Sequence, residues 1–287
     1  MANTITLAKS YIDNLDLIYK NASVTADLIS DSTLIRAGNN VNEIVIPKIS
    51  MDGLKDYSRN DGYKKGSVSL EWETKKFNYD RGTKFTVDTM DNEETMMLAF
   101  GQLNAEFIRT KVAPEADAFT FSKLAQTSGI SKGAEKTIAT GEEVLDELLI
   151  AVTKMDEDEV PVENRILYIT PTLHNLATSV KTYINSGILD TFTTIKKVPQ
   201  NRFYTQIDLT ADGAGGYTKN GSAKDINFMI VHKPAIIKWT KHVAQDIIPS
   251  KLNSESDGNI LKYRNYGIVE VFDNKVAGIY MSNKAGE

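Results

Sequence analysis

The residue types that most often carry out chemistry are scarce in this sequence. Its 287 residues include no cysteine and only three histidines, His174, His232 and His242, which lie far apart. Without cysteine there can be no disulfide, thiolate zinc site, iron–sulfur cluster or cysteine nucleophile. The histidines also lack the HExxH spacing that places two zinc ligands on one helix face. We therefore interpret each histidine as a structural or surface residue.

Motifs for nucleophilic, phosphate or calcium chemistry are absent as well. There is no GxSxG nucleophile elbow. The glycine-rich segment 208–225 has no lysine–serine pair after it, which indicates a flexible loop rather than a phosphate-binding loop. The acidic run 156–159 lacks the spacing and the glycine of a calcium loop, so we expect a solvated turn beyond a helix end. The sequence predicts no catalytic residue, cofactor or metal.

Composition and charge restrict the class of protein further. The chain is 41% hydrophobic and 25% charged, which is typical of a globular protein, and its net charge is −5. A protein that binds nucleic acid through its phosphates usually has the opposite sign. Lysine pairs at 64–65, 75–76 and 196–197 are interrupted by acidic residues and indicate ion-pairing surfaces. No signal peptide or transmembrane run is recognisable, so a cytoplasmic setting is expected.

The first 88 residues predict an arm followed by a β-ribbon. Ile12, Leu15, Ile18 and Tyr19 have helical spacing within an arm over 1–40, docked on the main body or on a neighbouring subunit. Residues 41–88 are interpreted as a long two-stranded ribbon with a polar tip, in which Pro47 predicts an edge position. An isolated hairpin is marginally stable in water. The ribbon therefore either folds back on its own domain or lies on another chain. The residues by themselves favour the first of these.

Two amphipathic helices are predicted in the middle of the chain. The first spans 91–127, with Asp91 and Glu94 as a cap pairing and Pro114 as a bend or break. Its apolar stripe is expected to be core and comprises Met96, Phe100, Leu103, Phe107, Phe119 and Leu124. The second begins with a capping box at Thr140. Its stripe comprises Val144, Leu145, Leu148, Leu149, Val152 and Met155.

The last third predicts mostly strands. A buried strand at 165–170 runs into a helix that begins at Pro171. Further strands are expected at 228–232, 235–239, 260–272 and 275–282, the last two joined by a turn at Asp273. The fold class is therefore α+β.

This order of parts resembles the major capsid proteins of tailed bacteriophages, whose HK97-type fold is shared by encapsulin shells. The segments that carry the resemblance are 77–125, beginning FNYDRGTKFTVD, and 257–283, beginning DGNILKYRNYG, with NRILYITPTLHNLA at 164–177 in support. The resemblance implies an N-terminal arm at 1–40, an extended β-ribbon or E-loop at 41–88, and a peripheral domain with a spine helix at 89–135. It further implies an α/β axial domain at 136–237 and closing strands of the peripheral domain at 238–287.

The function implied by the resemblance is structural and not enzymatic. Copies of the chain would assemble through hexamers and pentamers into an icosahedral head shell around double-stranded DNA. Assembly would take place in the host cytoplasm, and the shell would be part of the virion. The implied partners are a separate scaffolding protein, a portal protein and a decoration protein, with weak indirect DNA contact and no membrane; covalent cross-linking is not expected. The ribbon residues expected to contact another subunit are Lys55, Arg59, Lys64, Lys65, Glu71, Glu73, Lys75 and Arg81.

Three alternatives remain open from the sequence. The first is an encapsulin-like compartment that holds an enzyme cargo. The second is a tail or baseplate protein, which forms rings or tubes. The third is a cytosolic α+β enzyme with an unrecognised site, which predicts a small fixed oligomer and a pocket with convergent polar groups.

Overall fold

The computed structural model describes residues 22–30, 36–37, 42–60, 62–89, 105–180, 187–211 and 214–286. Over these residues the fold is mixed α+β. The helices are α1 Ala113–Gln126, α2 Gly141–Glu157 and α3 Pro171–Ser179. The strands are β1 Arg36–Ala37, β2 Glu43–Met51, β3 Val68–Lys76, β4 Tyr79–Asp88, β5 Ser131–Lys132, β6 Arg165–Ile169, β7 Thr194–Lys197, β8 Ile207–Leu209, β9 Tyr217–Lys219, β10 Ile226–His232, β11 Ile236–Ile248, β12 Gly258–Val271 and β13 Ile279–Asn283.

A five-stranded sheet in the order β5-β13-β10-β6-β7 forms the centre of the fold. Its β6 and β10 are buried along their whole length, which explains why both are mostly apolar; Arg165, Asn227 and His232 are their buried polar residues. Tyr168 faces Phe121 of α1, whereas Leu167 belongs to the core formed with α2 and α3. The predicted strand at 165–170 and the helix start at Pro171 are confirmed.

A three-stranded sheet in the order β11-β12-β4 packs beside α1. Tyr79 of β4 contacts Phe119 of α1, and Phe85 contacts Phe107 just before it, so one face of β4 lies on the helix. The long strands β11 and β12 confirm the predicted strand-rich end of the chain. However, β13 pairs with β10 in the five-stranded sheet, and the 3₁₀ segment Asp273–Gly278 replaces the expected tight turn after β12.

The ribbon consists of β2 and β3 and is shorter than the sequence indicated. The interpretation of 41–88 as one ribbon is wrong for β4, which pairs with β12 from Tyr79–Gly267 to Asp88–Gly258. Asn78 explains the change of direction. Its side chain donates to the carbonyl of Val269 and accepts from the Val269 N–H, so it replaces a backbone pair and leads the chain into the second sheet.

The helical segment continues through Pro114, where the sequence predicted a bend or a break. A single π-helical turn, Ile108–Val112, precedes α1, and Val112 and Ala113 keep right-handed helical backbone angles. The wider turn leaves room for the proline, which has no N–H to donate, in the first turn of α1. Phe119 and Leu124 are buried as expected. The predicted cap at Asp91 and stripe residues Met96, Phe100 and Leu103 lie outside the described residues, as does the predicted helix at 12–19.

Helix α2 begins as predicted and ends differently. The hydroxyl of Thr140 accepts from the N–H of Glu143, whose carboxylate accepts from the Thr140 N–H, which confirms the capping box. Leu149 is half exposed, so the predicted stripe is one residue too wide. The acidic run is not a solvated turn throughout, because Asp156 lies within α2 and forms a 2.7 Å ion pair with the buried guanidinium of Arg165.

Two further observations concern single features of the chain. The segment 208–225 is not wholly a loop, because β8 and β9 pair across it. Within the described residues, no helix has both the length and the apolar composition needed to span a membrane.

Candidate interaction surface

The three histidines do not form a reactive site in the described part of the chain. Burial and the nearby charges of Lys275 and Arg165 lower the pKa of His232, and burial together with Lys197 lowers the pKa of His174. His242 is exposed on β11. No group of three or more metal-ligating side chains occurs among the residues that the structure describes.

A cavity of about 1010 Å³ lies between β4, residues 105–115 and residues 210–216. Its most buried charges are already paired: Arg81 Nε donates to Glu115 Oε1 over 2.7 Å, and the Tyr79 hydroxyl donates to the same oxygen over 3.2 Å. No described residue that lines this cavity is a histidine or a serine.

The ribbon has one apolar face, built from three cross-strand pairs. Pro47 lies opposite Trp72, Ile49 opposite Leu70 and Met51 opposite Val68. Residues directly opposite in an antiparallel pair point to the same side. We call these six residues the apolar face. The next pairs along the ribbon, Lys48 with Glu71 and Ser50 with Ser69, are polar and point to the other side.

The apolar face is open to solvent in the single chain. The exposed fractions of Ile49, Met51, Val68, Leu70 and Trp72 lie between 48% and 73%. At the tip, Leu54 is fully exposed, and Tyr57 and Tyr63 contact each other edge to face with their ring centres 5.0 Å apart. Soluble monomers rarely expose contiguous apolar surface of this kind, which is typical of an interaction site.

The base of the ribbon is attached firmly to the body of the chain. Ile44 and Ile46 of β2 are buried against Ile237 of β11 and Ile268 of β12. Among the described residues, β1 pairs with Val45 and Ile44, and no second strand pairs with β2 from Ile46 to Met51, which agrees with the edge position that Pro47 predicted. The apolar face therefore projects from a fixed root.

The predicted contact residues Glu73 and Lys75 lie at this root. Lys75 Nζ is 2.6 Å from Glu73 Oε1 and 3.0 Å from Asp273 Oδ1. Partial burial acts to lower the pKa of Lys75, but the two carboxylates outweigh it and raise the pKa. Both residues therefore help to hold the ribbon on its own chain.

Lys55 and its neighbours organise the tip. Lys55 Nζ donates to Asp52 Oδ2 and to the carbonyl of Lys65, each over 2.9 Å. The bond from Lys55, followed by that from the Ser67 N–H, lowers the pKa of Asp52. The other predicted contact residues on the ribbon, Arg59, Lys64, Lys65 and Glu71, have exposed side chains.

Arg81 lies outside the ribbon and does not join these residues. It is in β4, where it binds Glu115 and donates to the carbonyls of Thr210 and Gly216. Its placement on the ribbon was wrong because the ribbon ends at Lys76. The predicted contact residues were all charged and did not include the apolar face, although Val68, Leu70 and Trp72 alternate with polar residues in the sequence.

Comparisons with known proteins identify the fold. No family model and no curated protein sequence matches the chain. Among solved structures, one from Mycobacterium phage Che8 matches with a TM-score of 0.60 at 15% identity, covering 92% of each chain. The capsid of the cyanophage P-SCSP1u matches with a TM-score of 0.58 at 14% identity, covering 93% of this chain and 89% of that chain. A virus-like particle from Pyrococcus furiosus matches with a TM-score of 0.59 at 14% identity, covering 98% of this chain and 100% of the other. The chain has the mixed α+β fold of these capsid and particle proteins.

Proposed function

We propose that this chain is the major capsid protein of a tailed bacteriophage, a structural subunit that assembles with copies of itself into the head shell. The observation that carries the proposal is the exposed apolar face on a ribbon fixed at its root. An exposed apolar face of this kind is typical of a site that another surface covers. The fold shared with capsid proteins supports a second copy of the chain as that surface.

The energetics suit a reversible assembly. Burying a whole leucine- or methionine-sized side chain contributes about 1.5–3 kcal/mol, so the half-exposed members of the apolar face contribute about 1 kcal/mol each. The exposed charges of the tip add about 0–1 kcal/mol per pair. Contacts of this size are individually weak and become strong when repeated around a ring. Weak contacts also allow a misplaced subunit to dissociate before the shell closes.

In HK97-type terms, β2, β3 and the tip form the core of the extended loop proposed for 41–88. Helix α1 belongs to the spine helix of the peripheral domain at 89–135. The five-stranded sheet with α2 and α3 corresponds to the axial domain at 136–237, although β13 joins this sheet from the closing segment at 238–287. We propose hexamers and pentamers as the intermediate assemblies, formed in the host cytoplasm.

The partners proposed beyond the chain itself follow from the same assignment. They are a separate scaffolding protein, a portal protein and a decoration protein. Contact with packaged double-stranded DNA is proposed to be weak, because a subunit with a net charge of −5 neutralises few phosphates. Tight DNA binding by the free subunit, with a steep dependence on salt, would contradict this part of the proposal.

Cysteine labelling tests which side of the ribbon is covered. The native chain has no cysteine, so Leu70→Cys introduces a unique thiol on the apolar face and Ser69→Cys a matched thiol on the opposite face. Both variants should react with a maleimide in the free subunit. After assembly, the thiol at position 70 should be protected while the thiol at position 69 stays more reactive. Equal reactivity of the two thiols in assembled material would contradict the proposal.

A compartment that encloses a protein cargo is the second candidate. The particle from Pyrococcus furiosus favours it, because this chain aligns with the full length of that subunit. The contents of shells purified from the native source separate the two. A phage head contains double-stranded DNA, whereas a compartment contains an enzyme and no packaged genome.

A further inference from the structure

A buried carboxylate holds the segment Ala22–Ser30, which we call the strap. Asp117 of α1 is fully buried and accepts from the hydroxyls of Ser23 and Thr25, at 2.7 Å and 2.6 Å. It also accepts from the backbone N–H groups of Val24 and Thr25, at 3.1 Å and 3.2 Å. Its remaining donor is Arg202, at 3.2 Å. Most of the hydrogen bonds to this carboxylate therefore come from the strap.

A buried lysine lies on the other side of the same threonine. Lys238 of β11 donates from Nζ to Thr25 Oγ1 over 2.6 Å and to the Thr25 carbonyl over 3.2 Å. Ser30 continues the attachment, because its N–H donates to the Lys238 carbonyl over 2.8 Å and its hydroxyl to the Ile236 carbonyl over 2.8 Å. Thr25 thus lies between a buried anion and a buried cation.

The charges under the strap do not balance. Asp117 from α1 faces two cations, Lys238 from β11 and Arg202 from the 3₁₀ turn Gln200–Arg202. At the rim, Asp27 of the strap is paired with Lys196 of β7 at 2.9 Å. Tyr168 adds a neutral hydroxyl that has no hydrogen-bond partner among the described residues. The one buried carboxylate under the strap therefore faces two cations, the buried ammonium of Lys238 and the partly exposed guanidinium of Arg202.

Thr25 has hydrogen-bond partners other than Lys238. The Thr25 carbonyl already accepts from the Leu28 N–H at 3.1 Å, and the Thr25 hydroxyl already donates to Asp117. Lys238 is buried, with 8% of its surface exposed, and burial lowers its pKa to about 8 despite the nearby Asp117. Water that enters when the strap lifts would hydrate this ammonium group. Leu28 is the fully buried large apolar side chain of the strap, so apolar packing holds the strap weakly.

We propose that the strap Ala22–Ser30 is a device poised to open, in which the charge on buried Lys238 opposes closure and Asp117 favours it. Opening would separate the strap from α1 and β11. This proposal does not depend on shell assembly, because every contact that carries it lies within one chain. The reciprocal substitutions at the two buried charges should therefore change opening in opposite directions.

Amide hydrogen exchange, read by mass spectrometry on peptides covering 22–30, measures strap opening directly. Lys238→Met removes the ammonium group and keeps a long apolar side chain. It should slow exchange of the strap by about 10-fold or more at about pH 7, since one pKa unit corresponds to about a factor of 10. Peptides from β10 should be unchanged. Strap exchange as fast as or faster than that of the native chain would overturn the proposal.

Two further variants and a pH series cover the case in which Lys238→Met folds poorly. Asp117→Asn should accelerate strap exchange by about 10-fold or more, whereas Asp27→Asn at the exposed rim should change it by less than about 3-fold. In the native chain, strap protection corrected for intrinsic rates should rise between about pH 7 and pH 9.5, because the closed state binds the Lys238 proton less tightly than the open state. Protection that stays constant or falls would refute the role of Lys238.

Discussion

Replacing the apolar face of the ribbon should weaken assembly without weakening the fold. Leu70 is 54% exposed, so about half of its side chain is available for burial by another copy. Since full burial of a leucine contributes about 1.5–3 kcal/mol, Leu70→Ser should cost about 1 kcal/mol per contact. This corresponds to about a five-fold weaker association, because 1.4 kcal/mol is a factor of about 10.

A triple substitution of Ile49, Leu70 and Val68 to serine should amplify the effect. The three residues share one face and have similar exposure, so the loss should approach about 3 kcal/mol, or on the order of 100-fold. Light scattering over a concentration series measures the threshold at which large particles appear. That threshold should rise by about this factor.

Two controls make the result interpretable. The unfolding free energy of the triple variant should stay within about 0.5 kcal/mol per substitution of the native value, because the side chains are exposed in the single chain. Leu252→Ser removes a leucine that is even more exposed, at 75%, from a turn far along the chain from the ribbon, and it should leave the threshold nearly unchanged. An unchanged threshold in a folded triple variant would refute the role of the apolar face.

Three further predictions concern the stability of the single chain in urea. Arg81→Ala leaves the largely buried Glu115 without its cation and should lower the free energy of unfolding by about 3 kcal/mol. Arg264→Ala breaks an exposed ion pair and should lower it by less than about 1 kcal/mol. Equal losses for the two variants would contradict the argument from burial. Thr140→Ala removes the hydroxyl of the capping box and should cost about 1 kcal/mol; no loss would refute its role as a cap. The pKa of Lys238 in the folded chain is lowered to about 8, so the unfolded chain binds more protons at alkaline pH. The free energy of unfolding should therefore rise from pH 8 towards about pH 10.5, by at most roughly 3 kcal/mol. Lys238→Met should abolish this rise.

Local signals in the sequence predicted local structure well. The capping box at Thr140 could be predicted from two residues three positions apart in the sequence. The helix start at Pro171 could be predicted from the preference of proline for the first turn of a helix. The apolar run at 166–169 predicted a buried strand because burial on both faces favours consecutive apolar residues. These features depend on few distant contacts.

Pairing between distant strands could not be predicted in the same way. The alternation in β4 fits a ribbon strand as well as a sheet strand, and only its pairing with β12, far along the chain, decides between them. The error at Arg81 follows directly from the error at β4. Likewise, the half-exposed Leu149 continues the helical stripe of α2, but the core does not extend to cover it.

The candidate surface was half visible in the sequence. In the sequence, Val68, Leu70 and Trp72 alternate with polar residues, which is the local pattern of a strand with one apolar side. The register between β2 and β3 could not be predicted, because the irregular tip that joins them does not fix which residues lie opposite each other. Once Pro47 is placed opposite Trp72, the apolar residues of the two strands combine on one face. The surface therefore follows from alternation together with register.

Negative-stain electron microscopy of the purified protein over a concentration series tests the central claim most directly. The account predicts closed shells, or rings of five and six subunits that increase with concentration. Light scattering on the same samples should rise in parallel. A single small oligomer, unchanged at high concentration and after co-expression with the neighbouring genes, would contradict a shell subunit and favour the enzyme alternative.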